Sequence, residues 1–228
     1  MIDSKYILDD SSLFIDYYSE LPKLILEVKT EEAYYRQVWN RILELYRGQI
    51  DSGEFVDAMA GIIEEQLTKA FREALRDNDM DAEMVKEEPY ASALEDMILN
   101  EFDFVDGLGS DVQAAAEAGT GFEAFQARAQ MWSNRYKDAY NQANALIASE
   151  EGMNLVWIFG DTDHCSTCQQ LNGIVAKASV WDELGVKPQQ PPNDVLECGG
   201  YRCQCSLEPT DKRQTPKAYD AILNAVSR

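Results

Sequence analysis

All five cysteines of this 228-residue chain fall between positions 165 and 205, and no other feature restricts its fold as tightly. They stand as Cys165-Ser166-Thr167-Cys168, then 29 intervening residues, then Cys198-Gly199-Gly200-Tyr201-Arg202-Cys203-Gln204-Cys205. Two thiol clusters separated by a loop suit tetrahedral Zn²⁺, because each cluster supplies about two thiolates and the metal closes the loop between them. A CxxC spacing places both sulfurs on one side of a turn whose backbone N–H groups can face them. Gly199-Gly200 lets the chain double back between Cys198 and Cys203. If residues 202–207 are extended, the period of two puts Cys203, Cys205 and Leu207 on one face. The expectation is one structural zinc held by four of the five cysteines: Cys165, Cys168, Cys198 and Cys203, with Cys205 competing for the fourth place. Adjacent residues of an extended segment point to opposite sides, so His164 is expected beside the site rather than in it.

Other uses of these thiols fit less well. Disulfides suit exported proteins; here the cysteine count is odd, and the Met1-Ile2-Asp3-Ser4-Lys5 start lacks the basic and then apolar regions of a secretory signal. A redox CxxC normally opens a helix after a strand, which lowers the thiolate pKa, whereas the sequence around Cys165 reads as turn on both sides. A catalytic zinc needs an open coordination position and a general base. Asp163 and Glu197 are near enough in sequence to serve, but five thiols favour a closed site. The single histidine excludes HExxH chemistry and leaves one imidazole for any Ser or Cys nucleophile. Gly107-Leu108-Gly109 and Gly119-Thr120-Gly121 match neither phosphate-binding nor nucleophile-elbow templates. No apolar run approaches the ~20 residues of a membrane helix.

The charge is distributed unevenly. Residues 1–150 hold 13 basic and 31 acidic side chains, a net of −18, whereas residues 151–228 hold 7 and 10, a net of −3. Duplex binding neutralises phosphates with Lys and Arg, so the acidic part is not expected to bind DNA directly. The same part carries helical periodicity. Over residues 30–48, Tyr35, Val38, Trp39, Ile42, Leu45 and Tyr46 form one stripe, with Thr30 as a cap and Gly48 as a stop. Phe55, Met59, Ile62, Ile63, Leu67, Phe71 and Leu75 mark a second helix over 52–76. Pro89 interrupts or opens a third stretch with Leu94, Met97, Ile98 and Phe102, followed by an expected loop at 106–110 and an Ala-rich helix to Gly119. A last long helix spans 122–149, with Phe125, Ala129, Trp132, Tyr136, Ala139, Ala143 and Leu146 on its core face.

After Gly152 the texture turns to short strand-like runs. Residues 154–159 read as a strand, Asn172-Gly173 as a tight turn, and 182–184 as one helical turn before the Pro-rich 188–192 loop. Thr215-Pro216 reads as the cap and first position of a final helix, with Tyr219, Ile222, Leu223 and Val226 as its apolar stripe. The fold class is therefore mainly α: an acidic helical body over 1–150, then a small zinc-stabilised α+β module with a C-terminal helix over 151–228.

Residues 128–216 resemble the C-terminal region of the phage head morphogenesis proteins, the minor head or minor capsid proteins of tailed bacteriophages in the Mu F-like group. The resemblance is carried by the Arg128-to-Tyr136 segment, Val156-Trp157-Ile158, Asp163-His164-Cys165-Ser166-Thr167-Cys168, Leu171-Asn172-Gly173, Trp181, and the run from Leu196 to Leu207 that closes in Cys-x-Cys. Cys198 stands where many of those proteins carry histidine, and the spacer before Cys203 is longer than theirs. The resemblance implies a virion component made in the bacterial cytoplasm, acting in head assembly. Its implied partners are portal or major capsid protein, or further copies of itself, with no catalytic residue and no membrane. Two other readings stay open: a zinc-dependent hydrolase or transferase acting during infection, and an acidic DNA mimic or host-interaction protein.

Overall fold

A computed structural model describes residues 30–160, 163–190, 192–200 and 203–227. The N-terminal signal reading and the side chain of Thr30 lie outside the described residues. Among the described residues four long helices come first: α1 (Thr30–Tyr46), α2 (Ser52–Asp77), α3 (Tyr90–Ala118) and α4 (Ala124–Glu150), with a short 3-10 segment (Ala82–Lys86) between α2 and α3. Asp51 starts α2 with a reciprocal capping box: its carboxylate accepts from Glu54 N, and Glu54 reaches back to Asp51 N, each at 2.9 Å. Gly119 ends α3 in the left-handed conformation, φ 62°.

The stripes expected for α2 and α4 face the core as predicted. On α1 the fully buried line is Tyr34, Val38, Ile42 and Leu45, so the stripe is rotated toward Tyr34, and Tyr35, Trp39 and Tyr46 flank it. The expected break at 106–110 is corrected: α3 runs through it as one helix of 29 residues. Leu108 and Val112 are buried against the other helices, and Gly109 lies under the Phe55 ring, so packing carries the helix across two glycines. Of the residues read as its core, Leu94 is buried, while Met97, Ile98 and Phe102 only border it.

A second buried cluster begins at Ala148 in the last turn of α4 and gathers residues from the remaining chain. It is built on a three-stranded antiparallel sheet of order β2-β1-β3, with β1 Asn154–Ile158, β2 Val175–Lys177 and β3 Ser206–Thr210. Leu155 pairs with Ala176 on one side and Pro209 on the other. Short helices α5 (Ser166–Leu171) and α6 (Ala178–Glu183) flank β2, and Trp157 meets Trp181 with ring centroids 5.9 Å apart. Asn172-Gly173 does turn the chain, with Gly173 at φ 81°, but it links a helix to a strand.

The final helix, α7 (Ala218–Val226), packs on α5 and β2. Its expected cap is corrected: Lys217 precedes the helix, and Thr215 instead bonds Val175 with both its backbone N–H (2.9 Å) and its hydroxyl oxygen (3.0 Å). Ala218, Ile222 and Ala225 form its buried line, whereas Tyr219 and Leu223 face outward.

Body and module are joined through the edge of the sheet. The Leu207 N–H and C=O point away from β1 toward α4, where Asn141 Oδ1 accepts at 3.2 Å and Asn144 Nδ2 donates at 3.2 Å. Two asparagine side chains thus replace a fourth strand at that position, satisfying a buried peptide group. Asn78, at the end of α2, donates to Asn144 Oδ1 at 3.0 Å and fixes its orientation.

Candidate metal centre

Three chain segments deliver the thiols. Cys165 precedes α5, with Cys168 in its first turn. Cys198 lies in the turn after Leu196, and Cys203 and Cys205 lead into β3. The CxxC was expected in turns alone; it sits instead at the start of a six-residue helix, where Cys165 Sγ accepts from Cys168 N at 3.5 Å. The helix forms there because the Glu197 carboxylate accepts Ser166 N at 2.7 Å and the Ser166 hydroxyl, satisfying donors at its N-terminus. Gly199 (φ 62°) and Gly200 (φ 78°) take left-handed conformations, so the chain turns back after Cys198 as the sequence suggests. Regular strand begins at Ser206, later than expected; Cys203, Cys205 and Leu207 are buried and Gln204 is exposed, but the alternation ends there because Ser206 is buried too.

All five cysteines are free thiols. Among the described residues they form two trios, Cys165–Cys168–Cys198 and Cys168–Cys203–Cys205, with the sulfurs of each trio within 4.8 Å of one another. Cys168 belongs to both, and its Sγ lies 3.3 Å from Cys165 Sγ. A tetrahedral zinc with Zn–S near 2.3 Å places its sulfurs about 3.8 Å apart, so the donor type and spacing fit such an ion.

The electrostatics also centre on Cys168. Its proton is held far above the usual thiol range by Cys198, Cys203 and Cys205, which gather around it. Cys203 shifts downward, mainly through Cys168 and Cys198. Cys205 is pulled down to about 3, first by Cys168 and Cys203, with the Gly160 N–H and the Trp157 indole adding to the effect. Closely packed thiols share protons in this way, and a metal replaces those protons when it binds.

His164 lies next to the cysteines. Its Nδ1 is 3.6 Å from Cys205 Sγ, its Nε2 is 3.1 Å from Gly160 O, and its ring stacks on Phe159 at 3.9 Å between centroids. It is missing from both trios. Of the two candidates for a general base, Glu197 is engaged with Ser166, and Asp163 is exposed. The redox reading regains a helix start, but β1 and β2 on either side of that helix are antiparallel, unlike the parallel βαβ context of thioredoxin-like sites.

Sequence reasoning missed the surroundings of the thiols. Gly160 touches the backbone at Gln204 so closely that an added Cβ would lie 2.0 Å from the Gln204 carbonyl oxygen. This contact holds the exit of β1 against the Cys203–Cys205 segment. Its only sequence signal is a glycine just after a strand. In comparisons with known proteins, no family model matches the chain, and no curated protein or solved structure is similar to it. No helix among the described residues is long and apolar enough to cross a membrane.

Proposed function

We propose that this chain is a structural minor head protein of a tailed phage, and that one Zn²⁺ bound by four of its five clustered cysteines holds its C-terminal module in shape. The observation that carries the metal half is the convergence of five thiols from three segments on Cys168. The assembly half rests on the resemblance over residues 128–216. A module of fewer than about 80 residues has little core of its own, so metal binding supplies folding energy that packing cannot. Cys165, Cys168, Cys198 and Cys203 are the preferred ligands, with Cys205 as the alternative fourth. The acidic helical faces suit basic patches on portal or capsid protein and repel phosphate.

The test has two readouts. Elemental analysis of dialysed protein gives about one equivalent of zinc, as one closed four-ligand site requires; a metal-free preparation of unchanged stability would contradict the metal half. A mass-spectrometric inventory of purified heads finds the chain at defined stoichiometry, and Cys165→Ser with Cys168→Ser lowers its abundance. If the wild-type chain is absent from heads while infected-cell extracts carry a zinc-dependent activity lost in that mutant, the hydrolase or transferase reading replaces this one.

A further inference from the structure

Where the body meets the module, α3, α4, Gly185, Gln190 and residues 192–195 enclose an open groove with a volume of about 630 Å³. A second hollow of about 240 Å³ continues it along α4, sharing Glu101, Phe104, Arg135 and Pro192. Two large apolar side chains stand at its mouth, covered by nothing among the described residues: Phe104 of α3 is 58% exposed and Met131 of α4 is 44% exposed. The floor is charged and unbalanced. Arg135 Nε meets Glu101 Oε1 at 2.9 Å and Arg135 Nη1 meets Asp138 Oδ2 at 3.1 Å, so one guanidinium directly pairs two buried carboxylates; Lys187 also acts on Asp138 but is itself paired with Asp182 at 2.9 Å. Asp103 and Asp194 add further negative charge at the rim. Arg128, the other arginine of the lining, is occupied by Asp111 at 2.5 Å.

We propose that this groove docks a segment of a partner protein carrying a large apolar side chain next to a lysine or arginine, and that the cysteine cluster sets the position of the groove's outer wall. The apolar side chain packs between Phe104 and Met131, and the cation balances the second carboxylate of the Glu101–Arg135–Asp138 trio. Desolvated charge complementarity of this kind fixes register and disfavours wrong partners. A second copy of the chain is a poor occupant, since it brings its own net charge of −21 to an acidic groove.

The coupling to the thiols is covalent and hydrogen-bonded. Asn193 N donates to Gly199 O at 2.9 Å, one residue from Cys198, and Gln189 Nε2 donates to Cys205 O at 3.1 Å. Asn193 Nδ2 also ties the loop to itself, at Gly185 O (3.2 Å) and Lys187 O (3.1 Å). The wall therefore moves with the cysteine segments. This second half of the proposal rests on the metal reading above, whereas the groove and its chemistry do not.

The probe is a displayed library of short random peptides selected on the immobilised, zinc-loaded full chain. Enriched peptides should pair a large apolar residue with an adjacent Lys or Arg, and one synthesised consensus peptide then serves for affinity measurements. Phe104→Ala with Met131→Ala should weaken its binding about tenfold or more, and Asp138→Asn several-fold. Both apolar positions are exposed, so circular dichroism should show an unchanged fold. Chelator should weaken binding to a similar extent. Lack of enrichment, a consensus without a cation, or affinity indifferent to Phe104 and Met131 would overturn the groove. Affinity lost in the Phe104/Met131 variant but indifferent to chelator would overturn only the metal-set wall. If the chain is instead a dimer that the same double substitution turns into a monomer, a second copy is the occupant and the proposal fails.

Discussion

Asp138 lies where α4 and the module deny it water, and its carboxyl is raised from its ordinary value to about 6, by burial first and against the pull of Arg135. Glu101, across the same arginine, is raised too, again mainly by burial. A carboxyl raised in the folded state binds protons more tightly there than in the unfolded chain, so its contribution favours folding at low pH and is lost as pH rises through about 6. Between about pH 7 and pH 4 the wild-type chain should therefore gain stability relative to Asp138→Asn as the pH falls. Denaturant titrations of both proteins across that window check this, and parallel curves would refute it. Asn141 and Asn144 matter for a different reason, since both are neutral and together they meet the Leu207 peptide group. Replacing Asn144 with Ala leaves the buried Leu207 carbonyl without its donor, a cost of about 1–3 kcal/mol, readable as a lower denaturation midpoint. At Gly160, Ala forces the Gln204 backbone away and should weaken zinc retention in a competition with a chromogenic chelator, while the helical signal of the body stays unchanged. None of these three roles was legible in the sequence. Polar residues on a helix read as solvent-facing, and nothing local to Asn141, Asn144 or Gly160 reveals a strand edge or a backbone more than forty residues away.

At the scale of elements, helical periodicity located α1, α2 and α4 because each buries one continuous stripe, and spacing singled out the cysteines that the structure brings together. α3 was misread for a physical reason. Glycine lowers helix propensity by about 1 kcal/mol relative to Ala, so Gly107 and Gly109 looked like a break, although Leu108 between them and Val105 and Val112 on either side pack into the core and outweigh that cost. The two glycines should differ in their tolerance of a side chain. Nothing lies near a Cβ at Gly107, so Gly107→Ala should raise stability by about 0.5–1 kcal/mol. At Gly109 a Cβ would come within 3.2 Å of the Phe55 ring, so Gly109→Ala should lose that gain or reverse it. Thermal melts of the two variants against wild type decide the point; equal stabilisation would mean that Phe55 moves aside freely. Thr215-Pro216 misled in a similar way. A good capping pair was recruited to the edge of β2, because the open N–H and C=O of Val175 needed partners more than α7 needed a cap.

For the whole molecule, the question is how far the influence of the proposed zinc reaches. Composition and periodicity both change near residue 151, which suggests that chelation loosens the chain beyond that point and spares the helices. The interior contacts move the expected limit toward the N-terminus. Ala148 packs with the module rather than the body, and Asn141 and Asn144 are bonded to β3, whose entry segment carries Cys203 and Cys205. If zinc is bound as proposed, removing it should free that segment, and with it the partners that keep the last turns of α4 in register with the sheet. The stripes of α1 and α2 and the first half of α4, from Phe125 to Ala139, bury their own apolar surface and do not depend on the thiols. Hydrogen exchange with and without chelator should therefore show protection lost across residues 153–210 and across α4 from about Asn141 onward, while α2 exchanges as before. Loss confined to residues beyond 151 would show that the asparagine contacts hold without the metal. Equal loss in α2 would show that body and module unfold as one cooperative unit, in which case the zinc would stabilise the entire chain rather than the surface it shapes.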